Sequence, residues 1–448
     1  AVVGAAAGGA PLMTLTLVDN THCLDGTRAG YYFRAASTSR GASRWVVYME
    51  GGGLCYDPSS CNSRKDTNLG SSKFWGQNRT GGASLNVDSA KNPDFWDANH
   101  IFVPYCTGDL HTGTVTEPSL STFGLYFAGH ANFEGIVKDI IASHPLREAT
   151  EVLLTGDSAG GMGTFYNVDW LADTLPWATV KGAPVGGWYF PGFADDQPDK
   201  PWAPPSIYQE WTANRTGATA GVVGYLVALF RVYIHPSCTE AVRFHCGSVH
   251  VFYKHIKSPL FVLQNMYDSN QIIAELFMPG CSGDECSTDQ LDFVRYYGRS
   301  VRASTRQVIE NRAKSDGLFL PSCYAHTEGI NIEGRTGING FLPTELVGDW
   351  FFEREGRTPI RVVDDCPEDL PCNSGCKTLI PEPDPGPETQ CETELNTLCP
   401  RTSGCFTCAM LNLPQLRSAL CTVEELSDLC AKPPVAAAAS LPTRRDME

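Results

Sequence analysis

Basic side chains are scarce beside acidic ones: 34 Lys and Arg face 50 Asp and Glu, a net charge of −16. A surface of that sign repels phosphate backbones, which argues against nucleic acid as a partner. It also disfavours a heavily de-esterified polyuronate. Long apolar runs are missing too. The longest, Val222 to Phe230, meets Arg231 well short of the roughly 20 apolar residues that cross a bilayer. No transmembrane helix is expected. The first ten residues contain neither Met nor a basic side chain, so they read as a mature N-terminus rather than a signal peptide. Histidine is absent after position 326. That leaves Cys405-x-x-Cys408 without the imidazoles of a mixed zinc site, and disulfides are the stronger reading there.

Cysteine, by contrast, is plentiful, with 18 in 448 residues. A reducing cytosol rarely holds so many without metal-site spacing, and an even count suits complete pairing in an oxidising compartment. The expected location is therefore extracellular, in a cell wall or matrix. Two sequons, Asn78-Arg79-Thr80 and Asn214-Arg215-Thr216, agree with a glycosylated secreted chain. With 42% hydrophobic and 19% charged residues, the chain can bury a sizeable core.

Short buried-strand patterns recur from Leu12 onward: Arg44–Glu50, His100–Pro104, Glu151–Thr155 and Pro259–Gln264. Each is β-branched or aromatic and gives way to turn-forming residues. Between the second and third, Phe133, Ile136, Val137, Ile140 and Ile141 recur at helical spacing over Ala131–Ser143. Strands alternating with helices predict an α/β fold, a mostly parallel sheet with helices on both faces. Its chemistry would gather at the carboxyl ends of the strands. Residues 11–366 form the expected catalytic domain. A Pro-rich linker follows over 367–390, then a small Cys-rich module over 391–432 that its disulfides would staple, and a loose tail over 433–448. Thr422-Val-Glu-Glu425 resembles a capping box opening a last short helix.

The chemistry concentrates in Gly156-Asp157-Ser158-Ala159-Gly160. This G-x-S-x-G directly follows a buried strand, where a sharp turn lifts a serine above the sheet. Ser158 is thus the candidate nucleophile. In α/β hydrolases the acid and then the histidine follow the serine in sequence. Asp268 lies just past the strand Leu260–Leu263, and of the 10 histidines only His326 follows it. Glycines Gly51 to Gly53 after the strand ending at Met49 can aim backbone amides at an oxyanion. Gly52, Gly53 and Ala159 are the candidate donors. A phosphate loop is excluded, because no Lys-Ser/Thr closes the glycines and dinucleotide spacing is absent.

Together, Tyr48-Met-Glu-Gly-Gly-Gly-Leu-Cys55, Gly156-Asp-Ser-Ala-Gly-Gly161, Tyr267-Asp-Ser-Asn-Gln-Ile272 and Ser322-Cys-Tyr-Ala-His326 resemble the pectin acetylesterase/Notum family of secreted carboxylesterases. Asp25-Gly-Thr-Arg-Ala-Gly-Tyr-Tyr-Phe33 is similar to that family's opening strand. The resemblance runs from about Leu12 to Cys366. It implies an α/β-hydrolase fold, Ser158 as nucleophile, His326 as general base and Asp268 as its orienter. It implies no cofactor and no metal. It also implies the disulfides Cys23–Cys106, Cys55–Cys61 and Cys323–Cys366. The chain departs from the family at Gly53, where an aromatic is common, and at Thr327-Glu328, where Cys-Gln commonly follows the histidine. The expected substrate is an O-acetyl ester on an extracellular polysaccharide. The alternatives are a fatty acyl ester on a protein, as for Notum-like members, and a non-catalytic extracellular scaffold. The partner of the Cys-rich module is not legible.

Overall fold

The computed structural model describes residues 11–189, 228–238, 245–275, 286–310, 315–354, 360–366 and 370–376, with parts of 395–430. Contacts divide the chain into two compact units, Ala1–Cys281 with Cys286–Leu379 and Ser282–Glu285 with Ile380–Glu448.

Among the described residues the first unit is built on ten strands: β1 (Met13–Leu17), β2 (Gly30–Arg34), β3 (Arg44–Met49), β4 (Asn78–Arg79), β5 (Asn99–Val103), β6 (Glu151–Asp157), β7 (Thr179–Val185), β8 (Phe261–Leu263), β9 (Gly317–Leu320) and β10 (Arg361–Val363). Their order is β10-β9-β8-β7-β6-β3-β5-β2-β1-β4. From β10 to β5 every pairing is parallel, and β2, β1 and β4 add an antiparallel edge. The mostly parallel sheet is as expected. Of Asp25–Phe33, only Gly30 onward is strand, and the chain turns at Asp25-Gly26, where Gly26 has φ +83°.

Alternation along the strands assigns the two faces. Trp45, Val47, Met49, Val152, Leu154, Val262, Leu318 and Leu320 point to one side. There they meet Phe133, Ile136 and Ile140 of α2 (Gly129–Ser143), Phe165, Val168 and Leu171 of α3 (Ala159–Thr174), and Phe293, Tyr297 and Val301 of α4 (Thr288–Glu310). Val46, Leu153, Phe261, Leu263 and Phe319 point to the other side, against Leu346, Val347, Trp350 and Phe351 of α5 (Pro343–Phe351). Both faces are covered, as a parallel sheet requires. Among the described residues no helix is long and apolar enough to cross a membrane.

Cys23–Cys106 and Cys55–Cys61 are disulfides, as the resemblance implied. Cys323 corrects the third expectation: it bonds Cys376, while Cys366 bonds Cys372. Cys366 is thus taken by Cys372, six positions on, which leaves Cys376 to reach the loop after β9. In the second unit Leu395, Cys399, Cys405, Ala409, Leu416 and Leu426 make a small buried cluster, stapled by Cys399–Cys408 and Cys405–Cys430. Cys405 and Cys408 are therefore not free thiolates for a metal. Of the linker expected over 367–390, residues 370–376 are described, with Cys372 and Cys376 bonded to Cys366 and Cys323; 367–369, 377–390, the Thr422–Glu425 capping box, the tail over 433–448 and the Asn214 sequon lie outside the described residues.

Candidate active site

Chain order along the sheet reverses between β3 and β6, the place where ligands bind in open α/β sheets. The loops leaving these two strands carry the glycines and the serine. Ser158 sits between the last residue of β6 and the first of α3, with φ +56° and ψ −117°. That conformation is strained for a residue with a Cβ, and it persists because its surroundings leave no alternative. A side chain on Gly156 would come within 2.5 Å of the Met49 carbonyl, and one on Gly160 within 2.0 Å. Both glycines are thus required where the turn packs against β3. The amide of Ser158 donates to Val185 O at 2.9 Å, and the residue is 9% exposed.

Asp268 and His326 come from the loops after β8 and β9. His326 Nδ1 lies 2.8 Å from Asp268 Oδ2 and 3.0 Å from Oδ1. The carboxylate is fully buried and also accepts from Gln264 Nε2 at 2.9 Å and from the Gln271 amide at 3.0 Å. The two loops are laced together by Met266 N to Pro321 O, Tyr267 N to Cys323 O and Ser269 N to Ala325 O. With Nδ1 facing a carboxylate, the proton belongs there and Nε2 is left as the acceptor. Burial pushes the His326 pKa down, but the hydrogen bond and charge of Asp268, with Glu328 and Asp157 behind them, raise it above 6.5 overall.

His326 and Ser158 both border the turn after β7. Ser158 bonds Val185, and a side chain on the adjacent Gly186 would lie 3.5 Å from His326 Cε1. Ser158 Oγ makes no hydrogen bond among the described residues. Nε2 instead lies 3.3 Å from the Tyr189 hydroxyl, which accepts from Asn270 Nδ2 at 3.0 Å. Such bonds in unliganded sites are often long, and they tighten around substrate.

The glycine loop lies against the serine. A Cβ on Gly51 would be 3.1 Å from Ser158 Cβ. The Asp157 carboxylate fixes that end, accepting Tyr48 Oη–H at 2.7 Å and the Gly51 amide at 3.2 Å. Gly52 and Gly53 have φ +141° and +69°, and their amides donate to no acceptor among the described residues. Ala159 is the first residue of α3, so its amide has no partner within the helix. The structure therefore brings all six sequence-derived residues to one end of the sheet. Asp157, Tyr189 and Asn270 were not singled out by the sequence. Asp157 and Asn270 stand inside motifs quoted above, whereas nothing marked Tyr189.

Three other histidines are held as weak bases. Burial lowers His100 and His111 to about 4 and His250 to about 3, and His111 Nε2 is bonded to the Glu50 carbonyl oxygen. Cys238, Cys246 and His255 are near enough to share a metal, but the two cysteines form a disulfide, so no thiolate is available.

Comparison with known proteins finds clear relatives. The family model described as pectinacetylesterase matches residues 8–377. Pectin acetylesterase 11 of Arabidopsis thaliana is 32% identical over 401 residues, covering 85% of this chain and 95% of that protein. Palmitoleoyl-protein carboxylesterase notum1 of Xenopus laevis is 30% identical, over 68% of this chain and 59% of its own. The solved structure of the Wnt deacylase Notum from Drosophila superposes with a TM-score of 0.66 at 25% identity, covering 82% of this chain and all of that one.

Proposed function

The chain belongs to the pectinacetylesterase family and is a carboxylester hydrolase, and from that premise we propose that it removes O-acetyl groups from an extracellular polysaccharide by way of an acyl-serine on Ser158. The observation that carries the mechanism is the buried Asp268 carboxylate on Nδ1 of His326, beside a serine held in a strained turn. Nε2 takes the proton of Ser158 Oγ as the oxygen attacks the ester carbonyl. The amides of Gly52, Gly53 and Ala159 receive the oxyanion. The C–O bond to the sugar then breaks, and the His326 imidazolium protonates the leaving alkoxide. Water, deprotonated by the same nitrogen, releases acetate and restores the serine.

The polar pair of Tyr189 and Asn270 at Nε2 supports a short acyl group. A long hydrocarbon gains less from burial against a hydroxyl and a side-chain amide than against an apolar wall. The disulfides support an extracellular location. The test is hydrolysis of p-nitrophenyl acetate, butyrate and octanoate, with acetate release from acetylated pectin and Ser158→Ala alongside. Activity that falls with chain length, and disappears in the variant, is expected. Preference for octanoate would move the substrate to fatty acyl esters, and full activity in Ser158→Ala would discard the acyl-serine.

A further inference from the structure

A pair of adjacent glycines makes a weak oxyanion hole unless something fixes the peptide between them. Glycine populates both signs of φ, so the Gly52–Gly53 peptide can flip at little cost. A flip would exchange the direction of the Gly52 carbonyl with that of the Gly53 amide, because the two point oppositely across a trans peptide. We infer that Arg64 is the lock: its guanidinium holds the Gly52 carbonyl and so aims the Gly53 N–H at the oxyanion. The inference rests on the acyl-serine reading above.

Arg64 stands in the last turn of α1 (Pro58–Lys65). This helix starts at an Asp57 capping box, and the Cys55–Cys61 disulfide ties it to the end of the glycine loop. Arg64 Nη2 donates to Gly52 O. A Cβ on Gly53 would lie 3.6 Å from Nη2, and one on Gly108 3.2 Å from Cδ, so the side chain is packed between the two loops. Its carbon centre lies 5.6 Å from the centroid of the buried Tyr105 ring. Nη1 is buried without a hydrogen-bond partner, and no carboxylate pairs with Arg64 among the described residues. An arginine with Nη2 on one carbonyl and Nη1 buried without a partner, and with no acid beside it among the described residues, is held for the position of that carbonyl. Its charge also remains available to the nearby oxyanion. Asp157 on Gly51 and Arg64 on Gly52 thus grip consecutive peptides of the loop.

The test compares Arg64→Ala, Arg64→Gln and Arg64→Lys with the parent on p-nitrophenyl acetate, with melting curves and titration of Ser158 by an organophosphonate. Removing one oxyanion donor costs about 10²–10³ in kcat. Arg64→Ala is therefore expected to lose about 100-fold in kcat with KM held within about twofold. Added guanidinium ion should restore part of the loss, and Arg64→Gln, which keeps a donor but no charge, should fall between. A structural defect alone would not give that split or that rescue. Unchanged kcat in a folded Arg64→Ala or Arg64→Gln overturns the proposal, as does a loss lying wholly in KM. A parent enzyme that neither hydrolyses esters nor titrates at Ser158 removes the acyl-serine reading itself, and this proposal with it.

Discussion

Ser158 and His326 follow two strands of one sheet, β6 and β9, with β7 and β8 between them, yet the protein holds them in place by different means. Ser158 directly follows β6, which is paired on both sides, from Arg44↔Glu151 to Met49↔Gly156 and from Glu151↔Thr179 to Asp157↔Val185. Its position is fixed by the centre of the sheet and by α3, which opens directly behind it. His326 follows β9, a four-residue strand with three-residue registers to β8 and β10. Its loop takes its order from the Cys323–Cys376 bond and from hydrogen bonds that tie Ser322 to Asp364 and Cys372. The nucleophile is positioned by a cooperative ladder, and the base by cross-links near the sheet edge. The base half should therefore loosen first, because short strands and loops open at lower free energy than a sheet centre.

Ser158→Ala tests the ladder side with the largest effect. About 10⁴–10⁶ should be lost from kcat with the urea midpoint unchanged or raised, since a strained φ is kept either way. A residual rate within 100-fold of the parent would place the chemistry elsewhere. On the other side, Asp268→Asn should lower kcat by about 10⁴ through the wrong imidazole tautomer. It should leave organophosphonate able to reach Ser158, only slowly.

The contrast is sharpest for Cys323→Ser with Cys376→Ser. Losing the bridge should cost about 2–5 kcal/mol, and activity should vanish at a urea concentration below that which melts the sheet signal in circular dichroism. Coincident transitions would show that the two halves open as one unit.

The pH dependence comes next. His326 works as a base only when neutral, and its pKa is raised, so kcat/KM should climb with pH through a midpoint above 6.5. Its stabilising contribution runs the other way: present below the unfolded value of about 6.5, it fades as pH rises through the folded pKa. The smallest effect is expected of Glu328→Gln. Glu328 Oε2 accepts the His326 amide at 2.9 Å, and its charge helps hold the imidazole protonated. Removing that charge should move the rising limb to lower pH by a fraction of a unit, with the plateau unchanged. A shift to higher pH would reverse the assigned sign.

The main parallel strands were legible because burial on both faces demands continuous β-branched and aromatic runs, and Arg44–Glu50 and Glu151–Thr155 are of that kind. The serine was legible because its turn tolerates only glycine at Gly156 and Gly160. His326 was legible by order, since no other histidine follows Asp268. Each of these depends on local backbone geometry or on sequence order, which a chain carries without being folded. Tertiary structure alone decided the rest. Which cysteine meets Cys323 depends on where the chain returns after β10, and the resemblance to a family placed that contact at Cys366 rather than Cys376. That Arg64 reaches the Gly52 carbonyl, or Tyr189 the Nε2 of His326, depends on the direction of a side chain across a packed loop. Such contacts leave no period and no spacing in the sequence, because they join residues whose separation along the chain is set by the path of the fold.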